Sequence, residues 1–180
     1  MKYVKTILAV FAFAAFTVVS AAHAQETPSC TNATIIGDYA FTITGQILAP
    51  TAAVGPVTGV ALSHFDGETN AEGRGLMTQV DHVVHNGAVP AEEWRPGSGP
   101  YQVNPDCTGW MTITPEPTIP SDGGAELTLY FVIGDNGNTI HTVVSQPKTS
   151  PLAANITSSA TRVRQAGFSF PRALQPAPIR

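Results

Sequence analysis

The densest group of side chains able to do chemistry is Asp81-His82-Val83-Val84-His85. Two imidazoles and a carboxylate are familiar metal donors. Their spacing argues against shared chelation on a strand, which the flanking Val83-Val84 and Asn86-Gly87 favour. Side chains there alternate between faces, so His82 and His85 point to opposite sides. Asp81 and His85 share a face but lie about 13 Å apart at ~3.4 Å per residue. The spacing permits a polar handle on an interior cavity instead. His141, between Ile140 and Thr142, is a general base if it lines a cavity and a surface or satisfied barrel histidine otherwise. Asp81, His82, His85 and His141 are the candidate ligand-binding residues; no catalytic residue, metal ligand or cofactor is assigned.

Other clusters carry weaker signals. Asp66-Gly67-Glu68-Thr69-Asn70-Ala71-Glu72-Gly73 resembles a calcium loop superficially. Ala71 stands where the sharp turn needs Gly, and Met77 where a bidentate Glu is expected, so an acidic solvated turn is the better reading. Glu92, Glu93, Trp94 and Arg95 fall in an expected rim loop. Asn32-Ala33-Thr34 and Asn155-Ile156-Thr157 are sequons, expected to be unused behind a leader of bacterial type. The chain has no G-x-S-x-G elbow, H-E-x-x-H, P-loop, dinucleotide glycine fingerprint or C-x-x-C, which removes the usual support for hydrolase, zinc protease, nucleotide and redox readings.

The elements that must position these residues are strands. Tyr39, Phe41, Ile43 and Ile47 alternate with Ala40, Thr42, Thr44 and Gln46, a period of two over 38–48. Further strands are expected at 57–65, 76–85, 100–104, 108–114, 125–133, 139–146 and 155–165. Asp66-Gly67, Asn86-Gly87 and Asp135-Asn136-Gly137-Asn138 supply turns that tolerate positive φ. Residues 88–99 read as an irregular loop over a barrel mouth or rim. Pro115, Pro117 and Pro120 favour an extended, unpaired segment. Eight strands with short connections and no crossover helix favour antiparallel pairing. The expected fold is an all-β, eight-stranded antiparallel up-and-down barrel, lipocalin-like, with a β-sandwich as the alternative.

Composition agrees with that class. Charged residues are 12 % of the chain, while 16 Gly and 15 Pro supply turns. Residues 1–24 read as a signal peptide: Lys2 and Lys5, an apolar run from Ile7 to Val19, and Ala22-His23-Ala24 before cleavage near Ala24-Gln25. The apolar run is shorter than the ~20 residues of a membrane span. One barrel domain is expected over 25–165 and a Pro-rich tail over 166–180. With Lys2 and Lys5 removed, seven of the nine basic residues face thirteen acidic ones, a formal charge of −6. Such a chain lacks the basic clusters that nucleic acid or anionic membranes require. Two cysteines, Cys30 and Cys107, in an exported chain suggest one disulfide, with free thiols or an intermolecular bridge as alternatives.

Gly37-Asp38-Tyr39-Ala40-Phe41 after Cys30, Phe65-Asp66-Gly67, Tyr101-Gln102-Val103-Asn104-Pro105-Asp106-Cys107-Thr108-Gly109 and Leu129 to Ile133 together form a recognisable pattern. It resembles small secreted bacterial and fungal proteins of the allene oxide cyclase barrel-like superfamily, over about residues 30–165. The resemblance implies an eight-stranded barrel with an apolar interior. The wider superfamily includes oxylipin cyclases and barrels that template cycloadditions. No catalytic motif of either maps onto this chain, so no catalytic residue is carried over.

These readings converge on a secreted or periplasmic barrel that binds a small apolar ligand or a partner. The alternatives are a cyclase or isomerase acting in the same cavity, and an envelope protein with a solid barrel. The oligomeric state is left open.

Overall fold

The structure, a computed structural model, describes residues 29–116 and 126–163. The expected signal segment 1–24 and tail 166–180 lie outside the described residues. Eight strands run in order: β1 (Gly37–Ala49), β2 (Gly55–Phe65), β3 (Gly75–His85), β4 (Arg95–Val103), β5 (Thr108–Pro115), β6 (Leu127–Gly134), β7 (Thr139–Val144) and β8 (Ala153–Arg162). Each pairs antiparallel with its neighbour in sequence, and β8 returns to β1 through Tyr39↔Arg162 to Ala49↔Ala153, so the sheet is a closed barrel. Closure leaves no strand edge unpaired, which the period-two pattern permits because one face of every strand can turn inward.

Strand connections alternate between two ends. The β2–β3, β4–β5 and β6–β7 turns close one end; the β1–β2, β3–β4 and β7–β8 connections surround the other. The closed end is solid. Tyr39, Phe65 and Tyr101 are fully buried there and meet edge to face, with ring centroids 5.6 and 5.0 Å apart. Two inward glycines make room for such rings: a Cβ on Gly75 would fall 2.4 Å from the Tyr101 ring, and one on Gly109 2.3 Å from the Phe131 ring.

The N-terminal segment caps this end. Cys30 and Cys107 form a disulfide. A 3₁₀ turn over Asn32–Ile35 buries Ile35 completely. Buried Asn32 donates through Nδ2 to the Glu68 and Gly73 carbonyls and to Thr69, while its Oδ1 accepts from the Val103 amide. The sequon nitrogen of Asn32 is therefore committed to the fold, whereas Asn155 is exposed on β8. Arg162 locks the β8–β1 seam. Its guanidinium lies 4.9 Å over the Tyr39 ring and donates to the carbonyls of Thr34, Ile36 and Gly137. The Tyr39 hydroxyl also donates to the Gly137 carbonyl.

Two expectations need correction: Pro115, expected in an unpaired segment, ends β5 and pairs with Gly97 of β4, where the strand's other residues hold it in the ladder, and β4 itself starts earlier than expected. β4 begins at Arg95, not at Pro100, so the irregular segment shrinks from 88–99 to the 86–94 loop. Prolines and glycines in Arg95-Pro96-Gly97-Ser98-Gly99-Pro100 argue against a strand locally. Pairing with β3 from Asp81↔Arg95 to Gly75↔Tyr101 overrides that preference. The β4–β5 ladder keeps one register but is interrupted at Gly99 and Pro100, between Ser98↔Thr114 and Tyr101↔Met111, and Pro100 has no N–H to give. The Asn86-Gly87 turn takes φ of 50° and 78°, as its residue types favour.

The acidic turn is held by the side chains of Asp66 and Asn70. Asp66 accepts from the Glu68 and Leu76 amides and the Tyr101 hydroxyl; Asn70 accepts from the Glu72 and Arg74 amides. No helix among the described residues is long and apolar enough to cross a membrane.

Candidate functional site

At the end opposite the aromatic floor, the interior is hollow. A cavity of about 380 Å³ opens beneath the β1–β2, β3–β4 and β7–β8 connections. Its walls are mainly apolar: Phe41 and Ile43 from β1, Val57 and Ala61 from β2, Met111 and Ile113 from β5, Leu127 and Leu129 from β6, Ile156 from β8. Ala88, Val89, Pro90 and Ala91 of the 86–94 loop form part of the rim. The size of the inward side chains explains the division. β2 offers Phe65 at the floor but only Ser63, Ala61 and Val57 above it, so the upper half is left unfilled.

Three sets of polar groups interrupt the apolar lining. The first is a stripe across β2, β3 and β4. Ser63 Oγ donates to Gln79 Oε1 at 3.4 Å, and Gln79 Nε2 donates to Asp81 Oδ2 at 3.0 Å. Arg95 then donates through Nε to Asp81 Oδ1 at 3.0 Å and through a terminal nitrogen to Oδ2 at 3.2 Å. This forked ion pair is largely out of water, with side-chain exposures of 14 % for Arg95 and 7 % for Asp81. The two charges compensate each other, as burial of either one requires.

The second set is Thr142 on β7 and Ser158 on β8, whose hydroxyls lie 2.7 Å apart. β7 is four strands from β3 in a ring of eight, so this pair stands on the opposite wall. The third is His85, at the open end of β3 and cross-strand from Val57. It lines the cavity, and its Nε2 is buried with no hydrogen-bond partner among the described residues. An unpaired buried polar atom costs on the order of 1–3 kcal/mol.

The four sequence candidates divide between the two faces of the wall. Asp81 and His85 face the cavity with Gln79 and Val83. His82 faces outward, donates through Nδ1 to the Glu93 carbonyl at 2.6 Å, and meets the Trp94 ring at 6.0 Å. His141 is exposed between inward Ile140 and Thr142, with Nδ1 3.1 Å from Ser159 Oγ. His82 and His141 thus do not reach the cavity, for the same period-two reason that places Asp81 and His85 inside. Glu92 and Glu93 are exposed, whereas Arg95 belongs to the lining. Ser63, Gln79, Thr142 and Ser158 were missed as site residues. The inward parity of Phe65, Met77, Ile140 and Ala160 would have placed them on the interior face.

The arrangement can hold an apolar body and hydrogen-bond it at a few points. It does not form an acid–base dyad from Asp81 and His85, because Asp81 is engaged by Arg95 and Gln79. No family model matches the chain, and no curated protein matches it.

Proposed function

We propose that this is an exported protein whose barrel binds a small, largely apolar molecule in its open half. The observation that carries the reading is the cavity of about 380 Å³, apolar apart from a few convergent polar groups and placed at the barrel mouth. Small-molecule sites have this character, with volumes of ~300–1,000 Å³. The Cys30–Cys107 disulfide supports export to an oxidising compartment. The outward faces of β1 and β8 support a barrel that works in water. A transmembrane barrel carries an apolar band around its outside, whereas Thr42, Thr44, Gln46, Asn155, Thr157 and Ser159 are exposed on β1 and β8. Kinship with allene oxide cyclase-like barrels belongs to the same proposal. It rests on the Tyr101–Gly109 stretch and the eight-strand topology. The cyclase or isomerase reading uses the same cavity, with the His85 imidazole as the group in its favour.

Two measurements test the proposal. Native mass spectrometry of protein isolated from its own culture should show a reproducible bound small molecule. Titration with the neutral fluorophore N-phenyl-1-naphthylamine should saturate at one site. Ala61→Trp, which places a large ring in the cavity, should weaken that binding by about tenfold or more, in line with the ~1.4 kcal/mol that a factor of ten represents. A wild-type protein that neither carries a ligand nor takes up the probe would overturn the proposal, as would a probe indifferent to Ala61→Trp in a folded variant.

A further inference from the structure

We propose that Asn86 is a site of spontaneous covalent modification, converting to aspartate or isoaspartate, and that the fold protects the identical Asn136-Gly137 dipeptide from the same reaction. The proposal does not depend on what the cavity binds.

The chemistry belongs to the Asn-Gly pair. The glycine backbone nitrogen attacks Cγ of the asparagine side chain and gives up its proton to water. The bond from Cγ to the side-chain nitrogen breaks, and ammonia leaves. The resulting succinimide ring takes up one water at either of its two carbonyls, giving aspartate or isoaspartate. The net change exchanges ammonia for water and needs no oxidant or cofactor. Glycine is the favourable neighbour because no Cβ shields the attacking nitrogen. The chain has two such pairs, Asn86-Gly87 and Asn136-Gly137.

The fold separates the two. Both asparagines adopt left-handed backbone conformations, with φ of 50° and 52°. The next nitrogen then points away from Cγ, so attack requires the turn to rotate about the asparagine Cα–C bond. Freedom to make that rotation is what differs. Asn86 and Gly87 are both exposed, and a Cβ on Gly87 would meet nothing within 4 Å. The Asn86 amide donates to the Pro56 carbonyl, and the Ala88 amide to the His85 carbonyl. Among the described residues, no hydrogen bond holds the Asn86 side chain or the Gly87 backbone.

Gly137 is buried at the closed end. Its carbonyl accepts from the Tyr39 hydroxyl and the Arg162 guanidinium, and a Cβ there would fall 2.3 Å from the Thr34 carbonyl. The Asn138 amide and side chain both donate to the Asp135 carbonyl and clasp the turn. Rotation at Asn136 would break these bonds together, and burial keeps the Gly137 nitrogen from the water that must take its proton. Exposed turns open at little cost, whereas buried ones open only with the structure around them. The modification therefore places a new carboxylate at the cavity mouth, next to His85, and leaves the closed end unchanged.

Peptide mapping of the wild-type protein tests the proposal. Samples are incubated at mildly alkaline pH, native or denatured in guanidinium chloride, and cut with a glutamate-specific protease. Cleavage after Glu92 and Glu126 puts the two sites on different peptides. Conversion is read from the mass gained when NH₂ becomes OH, and isoaspartate from labelling by an isoaspartyl methyltransferase. In the native protein Asn86 should convert faster than Asn136 by about tenfold or more, the separation expected between an exposed and a buried turn. In guanidinium chloride the two should convert at comparable rates. Gly87→Ala should slow the conversion of Asn86 in the denatured chain, where folding plays no part. Equal native rates, faster conversion at Asn136, or an Asn86 that stays intact in the native protein while converting in the denatured one would overturn the proposal. A denatured-state rate at Asn86 indifferent to Gly87→Ala would overturn the succinimide route.

Discussion

Asp81 and Arg95 show how a charged pair survives in an apolar wall. Each satisfies the other, and Gln79 and Ser63 extend the chain of donors and acceptors along β3 and β2. Asp81→Ala should destabilise the fold by about 3–5 kcal/mol, because it breaks a buried, doubly hydrogen-bonded ion pair with Arg95 and removes the acceptor of Gln79. Replacing both by leucine should restore most of the loss, and urea unfolding of the three variants checks both outcomes. Tyr101 gives a second residue-level expectation. Burial pushes its phenol well above the usual tyrosine range, the Asp66 charge adds to the rise, and the Gly67 amide opposes it. Burial raises Tyr39 likewise, against the pull of Arg162. Below pH ~10 both the folded and unfolded chains keep these protons, and the stabilisation is fully present. Above pH ~10 the unfolded chain releases its phenolic protons while the folded chain retains them, so stability falls as pH rises. Urea midpoints measured from pH 8 to 11 should decline, and Tyr101→Phe should make the decline shallower.

At the scale of elements, the interior depends on where small residues sit against large ones. Gly109 on β5 lies under the Phe131 ring of β6, and a Cβ there would fall 2.4 Å from the Gln102 carbonyl of β4. Gly109→Ala should therefore push three strands apart and cost about 1–3 kcal/mol, the usual range for overpacking. A thermal melt gives the loss directly. The same substitution at Gly73, where a Cβ meets nothing within 4 Å, makes no such contact but sits at a φ of 81°. Its cost should come from backbone conformation alone, ~1 kcal/mol or somewhat more. β4 makes the complementary point. Its prolines and glycines oppose a strand, yet β3 on one side and β5 on the other draw Arg95–Val103 into the barrel and carry Arg95 to Asp81.

At the scale of the molecule, structural and binding tasks are assigned to opposite ends. The disulfide, Asn32, Arg162 and the aromatic trio gather at the closed end, and the cavity opens at the other. Replacing Cys30 and Cys107 together by serine frees a loop spanning 77 positions. The chain-entropy relation gives about 4 kcal/mol for such a cross-link. Denaturation with and without the substitutions should show a loss of that order, and probe binding should persist wherever the variant is folded.

The sequence alone pointed to the strand count, the antiparallel order, most turns and one disulfide, while leaving free thiols or an intermolecular bridge open for Cys30 and Cys107 and a β-sandwich open for the fold. Those features follow from local periods, Asn-Gly and Asp-Gly chemistry, and the small number of thiols. It also determined that His82 and His85 face opposite ways, since alternation is a property of any strand. Which of the two faces inward is decided by the register of β3 between β2 and β4, and hence by contacts between residues distant in the chain. Tertiary structure also decided that the barrel is solid at one end and hollow at the other. Tyr39, Phe65 and Tyr101 come from three strands and fill one level together, while Ala61, Ser63 and Val57 leave space above them. Volume at a given height is a sum over all eight strands, and no single stretch of sequence contains it.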